Sequence, residues 1–433
     1  MKNILASGII TLLILMPVSS AFIISSPVTP DVYLIPDDVS KWTAMFYFDG
    51  DQSNTTYSLS DKMLADLSNL EKIGSISDVN LVVLMDLDGA NDSHLYYVNK
   101  GGVTEKPLTS INASWTNELD MGDENTLTDF MGWAVDNYPA NHYNVYLNNH
   151  GGGWLGICVD EHPTQNILNM TELKNAFSEI NGKIGRKIDV VSMDGCLMAM
   201  TEVVYQLKND IDYLVASESF IHTHEEDGGL FLNWMVDEIY GNLVNDSSMT
   251  ARELCIESVD DFRTDKAYIL PPTIIKPQAV DCISAIDVSK IDIVASAVDE
   301  MANRLLLKPL LSRLFFPSVF LKTQSFSGGF DFLGLLSYYP YLDLYDLSLN
   351  IKKIIPDKNI KESADKVMES VLDAVIAERH GEKRIKGEHP GAHGLSIYLP
   401  YRKSAYNEGY ESLDFAKDSQ WDEFIKNRWF LHL

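Results

Sequence analysis

Continuous apolar runs that alternate with helix-like segments constrain the fold of this chain most. An unbroken run, rather than an in-out alternation, is typical of a strand that is buried on both faces. The runs cover residues 42–48, 79–85, 143–147, 187–193 and 213–216. Between them, apolar residues at helical spacing predict helices capped near Thr126 and at Asn169, and one that begins at Cys196. We therefore predict an α/β fold with a mostly parallel sheet sandwiched by helices.

Polar and glycine-rich clusters directly follow these predicted strands. His150 follows the third strand and precedes three glycines, and Cys196 follows the fourth strand. Strands joined through one helix lie side by side, and ligands of open α/β sheets bind beyond the carboxyl ends of the strands. We therefore expect His150 and Cys196 to meet at one edge of the sheet.

A histidine beside a cysteine is the smallest set of side chains that supplies an activated thiol. The imidazole takes the proton, and the thiolate attacks a carbonyl carbon. The helix predicted at Cys196 would favour the thiolate through its N-terminal partial charge. The N–H of Gly151 is a candidate donor to an oxyanion. Each residue taken alone also fits a structural role, but their combination favours an enzyme.

The charge balance narrows the class of partner. The chain has 62 acidic and 34 basic residues, for a net charge of −28. This argues against nucleic acid as a partner, and an anionic membrane surface is disfavoured for the same reason. A negative field attracts basic substrates, although solubility alone explains many of the carboxylates. The cysteines lack C-x-x-C spacing, and with Cys196 reserved for catalysis at most one disulfide can form.

The first 21 residues have the pattern of a signal peptide. Lys2 precedes an apolar stretch, and small residues lead to a predicted cleavage after Ala21. An uncleaved membrane anchor is the alternative, because the apolar stretch has about the length that spans a bilayer. Both interpretations place the body of the protein outside the cytoplasm, either secreted or held at a membrane by its N-terminal segment.

The rest of the chain is predicted to have three parts. Residues 22–40 form a linker or pro-arm, residues 41–227 a catalytic α/β core, and residues 228–433 a C-terminal α/β part that completes or flanks the core. In this last part we predict helices over residues 289–306 and 360–378, a strand over 394–399, and a buried or loop-rich apolar stretch over 305–321.

Several segments together resemble the clostripain family of cysteine peptidases, whose fold is related to that of caspases, gingipains and legumain. Residues 148–154 (NNHGGGW) are similar to the family's His-Gly-x-Gly-Trp segment. Residues 194–202 (DGCLMAMTE) match its Asp-x-Cys-x-Met-x-x-x-Glu pattern. Weaker similarities at residues 50–54, 341–347 and 394–400 fall in the family's order. The resemblance implies a caspase-haemoglobinase-like fold with a mixed C-terminal extension.

By this resemblance, His150 is the general base, Cys196 is the nucleophile and Asp194 lies in the S1 pocket. A carboxylate there explains cleavage after Arg or Lys, because it pairs with a cationic side chain at P1. The second acid of the pocket stays open among Glu218, Glu225, Glu226 and Asp227. The resemblance thus implies an exported endopeptidase that cleaves protein or peptide substrates after basic residues. A catalytically silent binding protein on the same scaffold is the alternative.

Two further traits of the family bear on this chain. Members often mature by self-cleavage near the histidine, but residues 151–173 contain no Lys or Arg, which puts cleavage there in doubt. Some members depend on calcium, and five carboxylates follow the first two strands: Asp49, Asp51, Asp86, Asp88 and Asp92. None has EF-hand spacing, and solvation of loops is the simpler explanation. We assign no metal ligand, and calcium is the one candidate cofactor.

Overall fold

The structure is a computed structural model that describes residues 39–52, 59–221, 224–226, 229–231, 234–262, 282–326, 340–380 and 391–427. The predicted signal peptide and the predicted linker up to residue 38 lie outside this description, as does Asp227.

The described strands form one large sheet and three small ones. In chain order they are β1 (Ser40–Asp49), β2 (Val79–Asp86), β3 (His94–Asn99), β4 (Gly102–Lys106), β5 (Ala140–Asn148), β6 (Ile157–Asp160), β7 (Asn166–Leu168), β8 (Ile188–Asp194), β9 (Ile211–Ala216), β10 (His224–Glu226), β11 (Gly229–Phe231), β12 (Cys282–Asp287), β13 (Tyr341–Asp343), β14 (Val375–His380) and β15 (Ser396–Tyr398). The large sheet has the order β14-β12-β9-β8-β5-β1-β2-β3-β4.

The five strands predicted from the apolar runs are the centre of this sheet. β2, β1, β5, β8 and β9 run parallel, and antiparallel strands extend both edges. Two of these edge strands, β12 and β14, come from the predicted C-terminal part. The predicted α/β architecture is confirmed, with a parallel centre and antiparallel margins.

Helices cover both faces of the sheet. They are α1 (Leu59–Ile73), α2 (Glu124–Asn137), α3 (Met170–Ile184), α4 (Thr201–Gln206), α5 (Val236–Asn245), α6 (Ala251–Asp260), α7 (Ile291–Leu306), α8 (Pro309–Lys322), α9 (Leu344–Ile354), α10 (Lys358–Ala374), α11 (Asp414–Asp418) and α12 (Trp421–Asn427). Successive residues of β1 enter two different cores: Met45 and Tyr47 face α2 and α3, whereas Phe46 and Phe48 face α1 and α5. Burial on both faces explains why this strand is apolar throughout.

Three local predictions differ from the structure. Asp123, not Thr126, caps α2, because its carboxylate accepts the N–H of Asn125 at 2.8 Å. The helix predicted over residues 360–378 ends at Ala374, and the chain continues as β14, which pairs with β12. The apolar stretch over residues 305–321 contains a helix, α8, with Pro317 inside it. The cap at Asn169 is confirmed, and the Glu172 side chain completes a capping box.

All four cysteines are free thiols, so the disulfide that the sequence allowed does not form. Among the described helices, none is both long enough and apolar enough to cross a bilayer.

Candidate active site

The register of two parallel strands aligns the loops that carry His150 and Cys196. Asn148 at the end of β5 is paired with Asp194 at the end of β8. His150 and Cys196 each lie two residues beyond this pair. A Cβ atom on Gly151 would lie 2.3 Å from the carbonyl oxygen of Cys196, so only glycine lets the two loops touch. The structure therefore brings the two segments into contact, with His150 and Cys196 both partly exposed.

Asn149 fixes the loop that carries His150. Its side-chain amide donates to the carbonyl oxygen of Asp49 at 2.7 Å, and its carbonyl accepts the N–H groups of His150 and of Val159. Burial lowers the pKa of His150 below its usual value, partly opposed by the charge of Glu161. The imidazole is therefore neutral at neutral pH and able to accept a proton.

Cys196 lies in a turn, and the prediction that it begins a helix is wrong. The next helix, α4, begins at Thr201, and Leu197 has a positive φ of 69°. The backbone after Cys196 instead pairs with a neighbouring segment: Leu197 N–H donates to Ser219 at 2.9 Å, and Ala199 N–H donates to Ser217 at 2.9 Å. Because these bonds hold the chain out of a helix, the expected helix N-terminus at Cys196 does not form. The Sγ atom instead accepts the N–H of Ile221 at 3.4 Å.

The carboxylate of Asp194 is buried and already has an internal cation. Lys62 Nζ lies 2.5 Å from Asp194 and 2.9 Å from Asp66, and Tyr146 donates its hydroxyl to Asp194 at 2.8 Å. Burial by itself would lower the pKa of Lys62, but the two carboxylates raise it above its usual range. Burial raises the pKa of Asp66 to about 6, and the ammonium of Lys62 opposes this rise.

Lys62 and Asp66 were not among the site residues predicted from the sequence. Their spacing of four residues on a helix predicts a local ion pair. Nothing in the sequence connects that pair to Asp194, which lies far along the chain and reaches Lys62 only through the arrangement of strands and helices.

Of the four candidates for a second acid in the S1 pocket, the structure describes the side chain of Glu218 alone. Glu218 is buried, accepts the N–H of Gly394 at 2.8 Å, and lies beside Asp343. Burial and the charge of Asp343 raise the pKa of Glu218 well above its usual value. Its carboxylate therefore binds the C-terminal segment. Glu225 and Glu226 lie in β10, with side chains outside the described part, and Asp227 also lies outside it.

Segments from the C-terminal part of the chain contact the loop that follows His150. Tyr341 donates its hydroxyl to the carbonyl oxygen of Gly152 at 2.7 Å. Trp154 packs edge-on against Tyr398 and Tyr410, with ring centroids 5.4 Å apart in both pairs. Glu202, the last residue of the cysteine motif, accepts the Tyr410 hydroxyl at 2.7 Å. Packing thus explains why these weak, distant motifs occur in one chain.

A buried acidic cluster lies under the same loops. Asp51, Asp86 and Asp160 each place one oxygen within 4.8 Å of the others. Asp49 is fully buried, and within the described part of the chain its carboxylate oxygens make no regular hydrogen bond, with the backbone N–H of Asp51 as a neighbouring donor. Burial raises the pKa of Asp86 to about 8 and that of Asp160 to about 9. The prediction that Asp49, Asp51 and Asp86 are solvated loop residues is therefore wrong.

The cluster fits a hard cation that prefers oxygen ligands, such as Ca²⁺. Asp160 completes the cluster, whereas Asp88 is exposed and Asp92 is only partly buried, and neither belongs to it. Asp160 reaches the cluster through the β6 strand, whose pairing with β7 could not be read from the sequence.

Comparisons with known proteins agree with this architecture. The sequence profile of the clostripain family matches residues 46–429. Clostripain of Hathewaya histolytica is 24% identical, over 86% of this chain and 77% of that protein. A secreted C11 cysteine protease from Bacteroides thetaiotaomicron, solved with an irreversible peptide inhibitor, superposes with a TM-score of 0.61 at 21% identity, over 89% of this chain and 99% of the other. An inactive zymogen C11 protease from Parabacteroides distasonis superposes with a TM-score of 0.59 at 19% identity, with the same coverage. These two superpositions show the same fold.

Proposed function

The chain belongs to the clostripain family of cysteine peptidases, and from this premise we propose that it is an exported endopeptidase that cleaves after Arg or Lys. His150 is the general base and Cys196 the nucleophile. The observation that supports this assignment most directly is the contact between Gly151 and the Cys196 backbone, beyond the paired ends of β5 and β8. Export is supported by the signal-peptide pattern of residues 1–21 and by the secreted protease among the matched structures.

The proposed reaction has two stages. Neutral His150 takes the thiol proton of Cys196, and the thiolate attacks the scissile carbonyl carbon, whose oxygen becomes an oxyanion beside the Gly151 N–H. The intermediate collapses, the C–N bond breaks, and the imidazolium gives its proton to the leaving amine. Water then hydrolyses the acyl-enzyme, with His150 again as the base, and restores the thiol.

Charge counting supports a pocket for a basic P1 side chain. Lys62 supplies one positive charge to Asp66 and Asp194, so one negative charge remains when both carboxylates are ionised. A substrate cation therefore meets an ion triad instead of a lone carboxylate. Because Glu218 is engaged elsewhere, we propose that the second acid of the pocket comes from Glu225, Glu226 or Asp227.

Peptide substrates that differ only at P1 test the proposed specificity. We expect kcat/KM for Arg or Lys at P1 to exceed that for citrulline, the uncharged isostere of Arg, by about 100-fold, as a charge-assisted pair in a site of low polarity predicts. Asp194→Asn should reduce this ratio at least tenfold and leave cleavage of the citrulline peptide nearly unchanged. Equal rates for Arg and citrulline would refute an acidic S1 pocket.

The alternative of a silent binding protein is tested with the same peptides. An acyloxymethyl ketone with Arg or Lys at P1 should label Cys196 covalently, and the label is located by mass spectrometry. A silent binding protein would bind the peptides without hydrolysing them and would leave the thiol unlabelled.

We also propose that Asp49, Asp51, Asp86 and Asp160 hold a Ca²⁺ ion. The support is the buried Asp49, whose carboxylate makes no regular hydrogen bond to the described residues, and the three neighbouring carboxylates. The ion would neutralise this cluster and hold together the loops after β1, β2 and β6. Asn149 bonds to two of these segments, through the carbonyl oxygens of Asp49 and Val159, so the ion would stiffen the base of the His150 loop.

Thermal unfolding tests this site without reference to activity. After chelator treatment, 1 mM Ca²⁺ should raise Tm by several °C, because a ligand that binds only the folded state stabilises it. The increase should be larger at pH 9 than at pH 7. At pH 7 protons compete with Ca²⁺ for Asp86 and Asp160, whose pKa values are about 8 and 9. Asp49→Asn should abolish the increase, whereas Asp88→Asn, a change at an exposed neighbour, should preserve it. An identical Tm with Ca²⁺ and with chelator in the unmodified protein would exclude the site.

A further inference from the structure

The helix α8 exposes a stripe of leucines. Leu310, Leu314 and Leu321 have 75%, 65% and 59% of their surface exposed, and Leu307, just before the helix, has 71%. The exposed Pro317 lies between them on the same face, because positions three and four apart share a helix face. These residues therefore form a continuous apolar stripe along the outer side of the helix.

The opposite side of α8 is also apolar, and it is buried. Phe316 packs against Phe424 of α12, with ring centroids 5.0 Å apart, and Phe320 packs against Tyr401 at 4.8 Å. A helix that is apolar all round is normally covered on all sides. Among the described residues, packing partners cover the inner half of α8, and an exposed apolar stripe of this length is typical of an interaction surface.

The charge of this segment is opposite to that of the protein. Residues 301–326 contain four basic residues and no acidic residue, in a chain with a net charge of −28. At 100° per residue, Arg313 and Lys322 lie on either side of the leucine stripe. Arg313 bonds to the carbonyl oxygen of Asn427 at 2.9 Å, which holds its guanidinium at the surface beside the stripe. Lys322 is exposed.

We propose that α8 docks on the surface of a lipid bilayer that carries anionic headgroups. The leucines enter the boundary between headgroups and acyl chains, and Arg313 and Lys322 meet the lipid phosphates. The helix has 14 residues, which is too short to span a bilayer and suits a helix that lies in the plane of the interface. Charge complementarity favours this partner over a second copy of the chain, since two α8 helices packed together would bring their cations together.

The acidity of the whole protein does not prevent this contact. At physiological salt, charges more than about 8 Å apart are largely screened from one another. The bilayer therefore interacts mainly with the residues of α8 that touch it, and the charged residues of this helix, Arg313 and Lys322, are cations. The proposed docking brings a peptidase to a membrane surface without an additional spanning segment, and it is independent of the assignment of the active site.

Flotation with vesicles tests the proposal on the full chain. The vesicles contain either phosphatidylcholine alone or 70% phosphatidylcholine with 30% phosphatidylglycerol. We expect Leu310→Gln/Leu314→Gln to weaken binding to the anionic vesicles by roughly 100-fold, because burial of each leucine is worth about a factor of ten. The control Ile293→Gln/Leu372→Gln removes two exposed aliphatic side chains from α7 and α10 and should bind like the unmodified protein. Both variants should cleave a soluble peptide at the unmodified rate.

Each outcome decides the question. Loss of flotation in the α8 variant alone, with stronger binding to anionic than to neutral vesicles in the unmodified protein, supports the proposal. Flotation of the α8 variant equal to that of the unmodified protein overturns it, as does failure of the unmodified protein to float. A dimer that sedimentation detects in the unmodified protein and that the α8 variant loses, without vesicle binding, would assign the stripe to a second copy and would also overturn the proposal.

Discussion

Replacing Cys196 with alanine should reduce peptide hydrolysis by about 10⁴-fold or more, the usual cost of removing a nucleophile that acts together with its base. The fold should survive the change. Cys196 is partly exposed, and its sulfur bonds to the backbone of Ile221. Initial rates on a P1-Arg or P1-Lys peptide, with circular dichroism and Tm measured on the same sample, check this prediction.

Cys255→Ala is the matched control. Cys255 is buried in the core formed with α1 and α5, away from the loops that follow β5 and β8. Its removal should lower Tm through the small cavity that it leaves, while kcat stays near the unmodified value. Residual hydrolysis above the uncatalysed rate in the folded Cys196→Ala protein would mean that another group is the nucleophile.

Lys62→Met should cause the largest loss of stability that we predict for a single substitution. Asp66 and Asp194 are buried and share the one ammonium of Lys62, so its removal leaves buried negative charge without a counter-ion. Breaking a buried ion pair from one side typically costs about 3–5 kcal/mol of unfolding free energy. Urea denaturation at neutral pH measures the loss.

The pH dependence of the stability loss in Lys62→Met distinguishes an electrostatic cause from a loss of side-chain packing. Without Lys62, burial and the charge of Asp194 raise the pKa of Asp66 in the folded state further above its value in the unfolded state. The folded state then binds more protons than the unfolded state, so stability increases as pH falls through the raised value. In the unmodified protein the pKa of Asp66 is about 6, and without Lys62 it is higher, so the deficit of the variant should shrink as pH falls from about 8 towards 6, where only the variant takes up a proton at Asp66.

Two companion variants complete this test. Lys72→Met changes an exposed lysine on the same helix and should alter stability by less than about 0.5 kcal/mol. Lys62→Met/Asp66→Asn removes one negative charge together with the positive charge and should recover part of the loss. A deficit that stays the same between about pH 5 and pH 8 would assign the effect of Lys62 to packing.

Local sequence patterns were sufficient to predict the central strands of the sheet. The five parallel strands follow from continuous apolar runs, and the ends of β5 and β8 follow from the polar residues after them. Local patterns gave the wrong secondary structure where hydrogen bonds between distant segments override the local preference. The spacing of Leu197, Met200 and Val204 predicted a helix from Cys196, but bonds to Ser217 and Ser219 hold the backbone before Thr201 in a turn. Likewise, pairing with β12 converts the end of a predicted helix into β14.

The sequence by itself determined the order of strands and helices and the two loops that hold His150 and Cys196, because apolar periodicity and the polar residues after each strand are local properties. The tertiary structure alone decided the partner of Asp194, the membership of Asp160 in the acidic cluster and the exposure of the α8 leucines. These features depend on which distant segments lie side by side. Packing of the whole chain determines which distant segments are neighbours, and this cannot be predicted from the spacing of residues along the sequence.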